Sequence, residues 1–119
     1  MKLAISTQGS EPDSPVDPRF GRAQFFRIVD TETGQQLTVN NADGANAAQG
    51  AGTLAGQKLA QLGVQAVLTG HVGPKAWSAL QAANIRVYTV NGGTAEEAVR
   101  AFLDGRLHAL SHADLRGHW

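Results

Sequence analysis

The 119-residue chain has no cysteine. That removes disulfides, thiolate metal sites and a cysteine nucleophile together, and leaves His, carboxylate or backbone oxygen as the ligands any metal could use. An excess of charge of one sign is missing too, since ten basic residues balance ten acidic ones. A formal net charge of zero argues against a nucleic-acid partner and against an acidic or basic tail. No apolar run approaches the roughly 20 residues of a membrane span, and Met1-Lys2-Leu3-Ala4-Ile5-Ser6 is too short for the core of a signal peptide. The expectation is a cytoplasmic protein with no membrane partner. Catalytic patterns are scarce as well: Ser6, Ser78 and Ser111 lack a nucleophile-elbow context, and no Ser/His/Asp triad can be assembled. The chain therefore reads as a non-enzyme.

What is present fits one α/β domain, large enough to bury about two-thirds of the surface of its unfolded chain. The organising stretch is Thr69-Gly70-His71-Val72-Gly73-Pro74-Lys75-Ala76, where the apolar run Val64 to Leu68 feeds a glycine-bracketed turn and then a helix. Gly70 and Gly73 remove Cβ atoms where a ligand or another backbone would approach, and Pro74 suits a first helical position. A helix start carries unpaired N–H groups and favours anions. His71 stands at its lip as a candidate metal ligand or hydrogen-bond donor.

Taken in order, Lys2 to Thr7 reads as a buried strand with Leu3 and Ile5 on one side. Gln8 to Pro18, with three prolines, is a long loop, ending in Arg19-Phe20-Gly21-Arg22-Ala23. Two strands, Gln24 to Asp30 and Gln35 to Asn41, joined by Thr31-Glu32-Thr33-Gly34, form a hairpin. The polar stretch 40–49 crosses to the helical half. A helix from Gly50-Ala51-Gly52-Thr53 to about Leu62 places Ala51, Leu54, Ala55, Leu59 and Leu62 on one face. Strand Gln65 to Thr69, helix Pro74 to Ala83 with the stripe Ala76, Trp77, Leu80 and Ala83, and strand Ile85 to Thr89 follow. In the last helix Thr94 and Glu97 make a capping box, with Ala95, Ala98, Val99, Phe102 and Leu103 inward. Asp104-Gly105 closes the domain (1–105), leaving 106–119 as a C-terminal tail.

This order implies a mixed five-stranded sheet with helices on both faces, a three-layer α/β/α domain. Ligands of such sheets bind beyond the carboxyl ends of the parallel strands. Ser6 and Thr7, the turn at Gly70, and Val90 to Thr94 should share that edge.

Asp17-Pro18-Arg19-Phe20-Gly21-Arg22-Ala23 with Phe25-Phe26, Gly50-Ala51-Gly52, Gly70 with Gly73-Pro74-Lys75-Ala76, and Gly93-Thr94 with Glu96-Glu97-Ala98 and Phe102-Leu103-Asp104-Gly105 together resemble the dinitrogenase iron-molybdenum cofactor biosynthesis family. The likeness covers nearly the whole chain. It implies a ribonuclease H-like three-layer fold with a mixed five-stranded sheet. It also implies a carrier or accessory protein of nitrogenase assembly, holding the iron-molybdenum cofactor or its iron-sulfur precursor and meeting nitrogenase or cluster-assembly proteins.

Three helix starts, at Gly50 to Thr53, Gly73 to Lys75 and Gly93 to Ala95, converge with Arg19 and Arg22 on an anionic ligand. The candidate cofactor-binding residues are His71, Arg19, Arg22, Gly70, Gly73, Gly93, Thr94 and Gly52, with His71 the metal-ligand candidate. Each helix start alone reads equally as plain capping, and the arginines as surface cations paired with Glu11, Asp13 or Asp17. The first strand, with Ile5 and Ser6 and no acid, excludes two-metal nuclease chemistry. Gly50-x-Gly52-x-x-x-Gly56 is not preceded by a strand and fails as a nucleotide motif. His108 and His112, four residues apart, would meet on a helix if the tail formed one, and Trp119 would dock on the domain or a second subunit. The alternative to a carrier is an interaction or regulatory module of the same fold that binds a protein partner or a small organic anion.

Overall fold

The computed structural model describes residues 1–47 and 49–111. Strand β1 (Lys2–Thr7) is central. It pairs antiparallel with β2 (Phe25–Asp30), which pairs antiparallel with β3 (Gln36–Asn40), as the hairpin signal requires. On its other side β1 pairs parallel with β4 (Ala66–Thr69), and β4 parallel with β5 (Arg86–Thr89). A short β6 (His108–Ala109) adds antiparallel to β5, so the order is β3-β2-β1-β4-β5-β6.

The sheet thus has six strands, which corrects the expected five. β6 begins after the predicted boundary at 105, and a two-residue strand carries no period that a sequence reading could detect. It is held by Leu110 N–H donating to Val87 O at 2.8 Å, while Leu107 and Leu110 pack on opposite core clusters. His108 is therefore in extended chain and not on a helix. The expectations for His112 and Trp119 lie outside the described residues.

Alternation along the strands builds two cores. Ala4, Phe26, Ile28 and Val67 face α2 (Ala51–Gln61) and α3 (Pro74–Ala82), whereas Leu3, Ile5, Val29, Ala66 and Leu68 face α4 (Ala95–Leu103). The α/β/α layering stands on this alternation. Stretch 40–49 contains a single-turn helix, α1 (Ala42–Ala45), which the polar composition did not signal. No helix among the described residues is long and apolar enough to cross a membrane.

Two predicted helix faces shift. In α2 the buried residues are Ala51, Gly52, Ala55, Gly56 and Leu59, and Leu54 is 47% exposed. Gly52 and Gly56 form the contact with α3: a Cβ on Gly52 would lie 2.5 Å from Ala76 Cβ, and one on Gly56 3.2 Å from Ala79 Cβ. Close helix approach needs small residues, which carry no hydrophobic signal, so the stripe rotates away from Leu54. In α4 Ala95 and Ala98 are buried and Val99 and Phe102 partly so, but Leu103 is 61% exposed. The stripe Ala76, Trp77, Leu80 and Ala83 of α3 packs as expected.

Gly52→Ala should cost roughly 1–3 kcal/mol through overpacking, read as a lowered denaturant midpoint with unchanged slope. An unchanged midpoint would mean that α2 and α3 are not in this contact. In the β2–β3 turn, the Glu32 N–H, assisted by the Thr33 N–H, holds the Asp30 carboxyl below its ordinary pKa. The folded value is the lower one, so the associated stability is present above the ordinary aspartate range and is lost as pH falls through the lowered pKa. An NMR titration should find Asp30 titrating below exposed aspartates; an ordinary value would contradict this turn.

Candidate functional site

The predicted long loop is an ordered strap, residues 8–24, folded across the carboxyl edge of β1, β4 and β5. Its first half turns on itself, with Gln8 N–H donating to Pro15 O at 3.0 Å and Glu11 N–H to Ser14 Oγ at 3.0 Å. It then bridges three elements in succession: Val16 to Thr7, Pro15 to Thr94, and Arg19 to His71. Val16 and Phe20 anchor it, one in each core cluster.

Beneath the strap sits a buried polar knot. Ser6 Oγ lies 2.7 Å from Asp17 O and 2.7 Å from Thr69 Oγ1, and the Asp17 N–H donates to Ser6 O at 2.8 Å. Ser6, one residue before the end of β1, and Thr69, the last of β4, lie on neighbouring strands and are fully buried. Buried hydroxyls need such partners, and here the partner on one side is the strap backbone. The Asp17 side chain, only 3% exposed, accepts the Arg19 N–H at 2.9 Å and Arg19 Nε–H at 3.3 Å. That is an aspartate turn, in which the carboxylate bonds the backbone two residues on. Asp17, Ser6 and Thr69 were not among the predicted site residues. The Asp-x-Arg spacing could have flagged the turn, but nothing local pairs Ser6 with Thr69.

Of the predicted residues, the fold brings Arg19, Gly70 and His71 to one place. His71 N–H donates to Pro18 O at 2.7 Å, and Phe20 N–H donates to His71 O at 3.3 Å, so Arg19 and His71 run side by side on parallel segments. Both are exposed. A Cβ on Gly70 would lie 2.7 Å from Pro18 Cα, so Gly70 is glycine because the strap backbone crosses it. Gly73 caps α3 in extended conformation without a side-chain bond, Pro74 follows in its first turn, and Lys75 is exposed beside it.

The others are engaged elsewhere. The Arg22 guanidinium donates through Nη1 to Ala45 O and Ala47 O, fastening the connection after β3. None of the acids weighed for it pairs with it, whereas Arg19 takes Asp17. Gly52 is packed between Gly21 and Ala76: a Cβ on Gly21 would meet Gly52 N at 2.5 Å. Gly93 has φ +84°, and Thr94 completes the capping box, accepting Glu97 N–H at 3.2 Å while Glu97 Oε1 accepts Thr94 N–H at 3.0 Å. The next donors of α4 are met by the strap, Ala95 N–H by Ser14 O at 2.9 Å and Glu96 N–H by Pro12 O at 3.1 Å. The α4 start is thus filled by the protein's own carbonyls, whereas the starts of α2 and α3 lie against each other where Gly52 packs on Ala76.

Among the described residues no three His, Cys, Asp or Glu side chains gather where they could hold a metal ion. The donor set at the edge is one imidazole, a guanidinium partly neutralised by Asp17, and the first-turn N–H groups of α3. That set suits the outside of an anion carrying its own ligands better than a bare metal ion, which needs several protein donors.

Known proteins share this architecture. The orange protein of Desulfovibrio gigas, solved in its apo form, is 42% identical and superposes with a TM-score of 0.92 over 95% of each chain. A protein from Thermotoga described as NifB-like, solved by NMR, is 38% identical with a TM-score of 0.87 over 98% of each chain. An uncharacterized protein of Methanocaldococcus jannaschii is 32% identical over 111 residues, 90% of this chain and 89% of that one. The dinitrogenase iron-molybdenum cofactor family matches residues 1–105, and the chain belongs to that family.

Proposed function

We propose that this protein is a non-catalytic carrier or accessory protein that holds an anionic iron-sulfur or iron-molybdenum cluster, as cargo, at the strap edge of its sheet. The observation that carries this reading is the parallel pairing of Arg19 with His71, which presents a cation and an imidazole side by side on the exposed face of the strap edge. His71 is the direct ligand candidate. Arg19 supplies charge, Lys75 adds to it, and the glycine turn at Gly70 and Gly73 keeps the backbone close. Gly93, Thr94, Gly52 and Arg22 act at one remove, by holding the strap and α2 in place. Without thiolates the attachment is reversible, as a carrier that passes its cargo on requires. Membership of the cofactor family and likeness to a protein solved as an apo form support the ligand class. Nitrogenase or cluster-assembly proteins are the delivery partners this reading implies.

Anaerobic incubation with iron-molybdenum cofactor or its iron-sulfur precursor, followed by gel filtration, should leave about stoichiometric metal on the wild type. His71→Ala should lose at least tenfold in retention while remaining folded, with a cooperative unfolding transition of wild-type slope. Equal retention by the variant would remove His71 from the site, and no metal on folded wild type would leave the partner-binding module in its place. Arg19→Gln should weaken retention less and make it less sensitive to salt, because one screened charge is removed. An unchanged salt dependence would show that Arg19 serves only Asp17.

A further inference from the structure

A second feature lies on the α4 side of the sheet, away from Arg19 and His71. Helix α4 covers the parallel strands, and the step down from it to β2 and β3 leaves a groove of about 410 Å³. Its apolar wall is Ile5 and Val29 of the sheet with Ala95, Val99 and Leu103 of α4. This volume falls in the range of small-molecule sites. Leu103, which the helical period points inward, is 61% exposed because the surface it faces is this groove.

Arg27 lines the same groove and is only 7% exposed. Its Nη1 donates to Thr38 Oγ1 at 2.8 Å and to Ser10 O at 3.3 Å, and its Nη2 donates to Gln36 Oε1. All three acceptors are uncharged, and among the described residues Arg27 has no carboxylate within ion-pair distance; the other charges that line the groove, Glu96, Arg100 and Asp104, are exposed on its α4 side, where solvent screens them. A buried guanidinium satisfied only by neutral oxygens keeps its full charge in a medium of low dielectric. An anion bound there would be worth more than at an exposed arginine. Gln36 is itself exposed, on the sheet-edge strand β3, so its amide oxygen can be displaced without opening the core.

We propose that this groove binds a small amphiphilic carboxylate. Its carboxylate takes the place of the Gln36 amide oxygen on Arg27, in the forked geometry that guanidinium and carboxylate share, and its hydrocarbon part lies along Val29, Val99 and Leu103. The site is independent of the cluster reading, since it shares no residue with the Arg19–His71 edge.

The test is a titration of the isotope-labelled full chain with hexanoate, followed by NMR, with hexanol as the uncharged probe of equal chain length. Hexanoate should shift the amides of residues 95–103 and the Arg27 side-chain N–H, and should bind at least tenfold more tightly than hexanol. Arg27→Gln should bring hexanoate down to the hexanol level. Because Arg27 also holds Ser10, Leu103→Glu gives a second reading at an exposed position that does not touch the strap; it should weaken hexanoate at least tenfold with the rest of the spectrum unchanged. Gln36→Ala should bind hexanoate as tightly as wild type or more so. Shifts confined to other surfaces, equal binding of hexanol, or full affinity in Leu103→Glu would overturn the proposal.

Discussion

The hydrogen-bonded knot of Ser6, Thr69 and Asp17 is the constraint on which the strap edge of the sheet depends. Two adjacent strands end in hydroxyls that are fully buried, and burial is tolerable only because the strap backbone closes over them. The strap in turn is fixed in height, since the Asp17 N–H returns a bond to Ser6 O and the Asp17 carboxylate turns the chain at Arg19. Everything at the surface above follows. Pro18 lies against Gly70, which can have no side chain, and Arg19 comes up beside His71. The crevice expected at the carboxyl edge of an open α/β sheet is therefore roofed by the strap, with Arg19 and His71 exposed on the roof.

The same strap touches both features of the molecule. Through Ser10 O it reaches the Arg27 guanidinium, through Pro12 O and Ser14 O it satisfies the start of α4, and through Pro18 and Phe20 it brackets His71. Arg19 illustrates the economy: one side chain packs its charge against a buried carboxylate and still projects at the surface.

Much of the fold was legible in the sequence because its signals are local. The hairpin at Thr31 to Gly34, the capping box of Thr94 and Glu97, Pro74 at the start of α3 and the alternation of β1 all depend on residues within a few positions of each other. The errors share the opposite property. β6 exists because Leu107 and Leu110 find surfaces formed some 20 residues and more earlier, and the true face of α2 is set by Ala76 and Ala79 of another helix. Of the candidate site, His71, Arg19 and Gly70 were named from their setting; Ser6 and Thr69 were placed at the edge and Asp17 in a motif, but their bonding to one another was not legible, because it joins residues far apart in the chain.

By itself the sequence determined the order of the five longer strands and the three longer helices, the sites of the turns, the absence of thiolate chemistry and the family, since composition, period and motif spacing are properties of the linear chain. Only the tertiary structure decided which glycines face a neighbouring backbone, which arginine keeps a surface role, and that the start of α4 is filled by the chain's own carbonyls. Those outcomes turn on contacts of a few ångströms between residues some 20 to 80 positions apart, as with Arg22 and Ala45, Ser6 and Thr69, or Glu96 and Pro12, and proximity of that kind leaves no trace in local pattern.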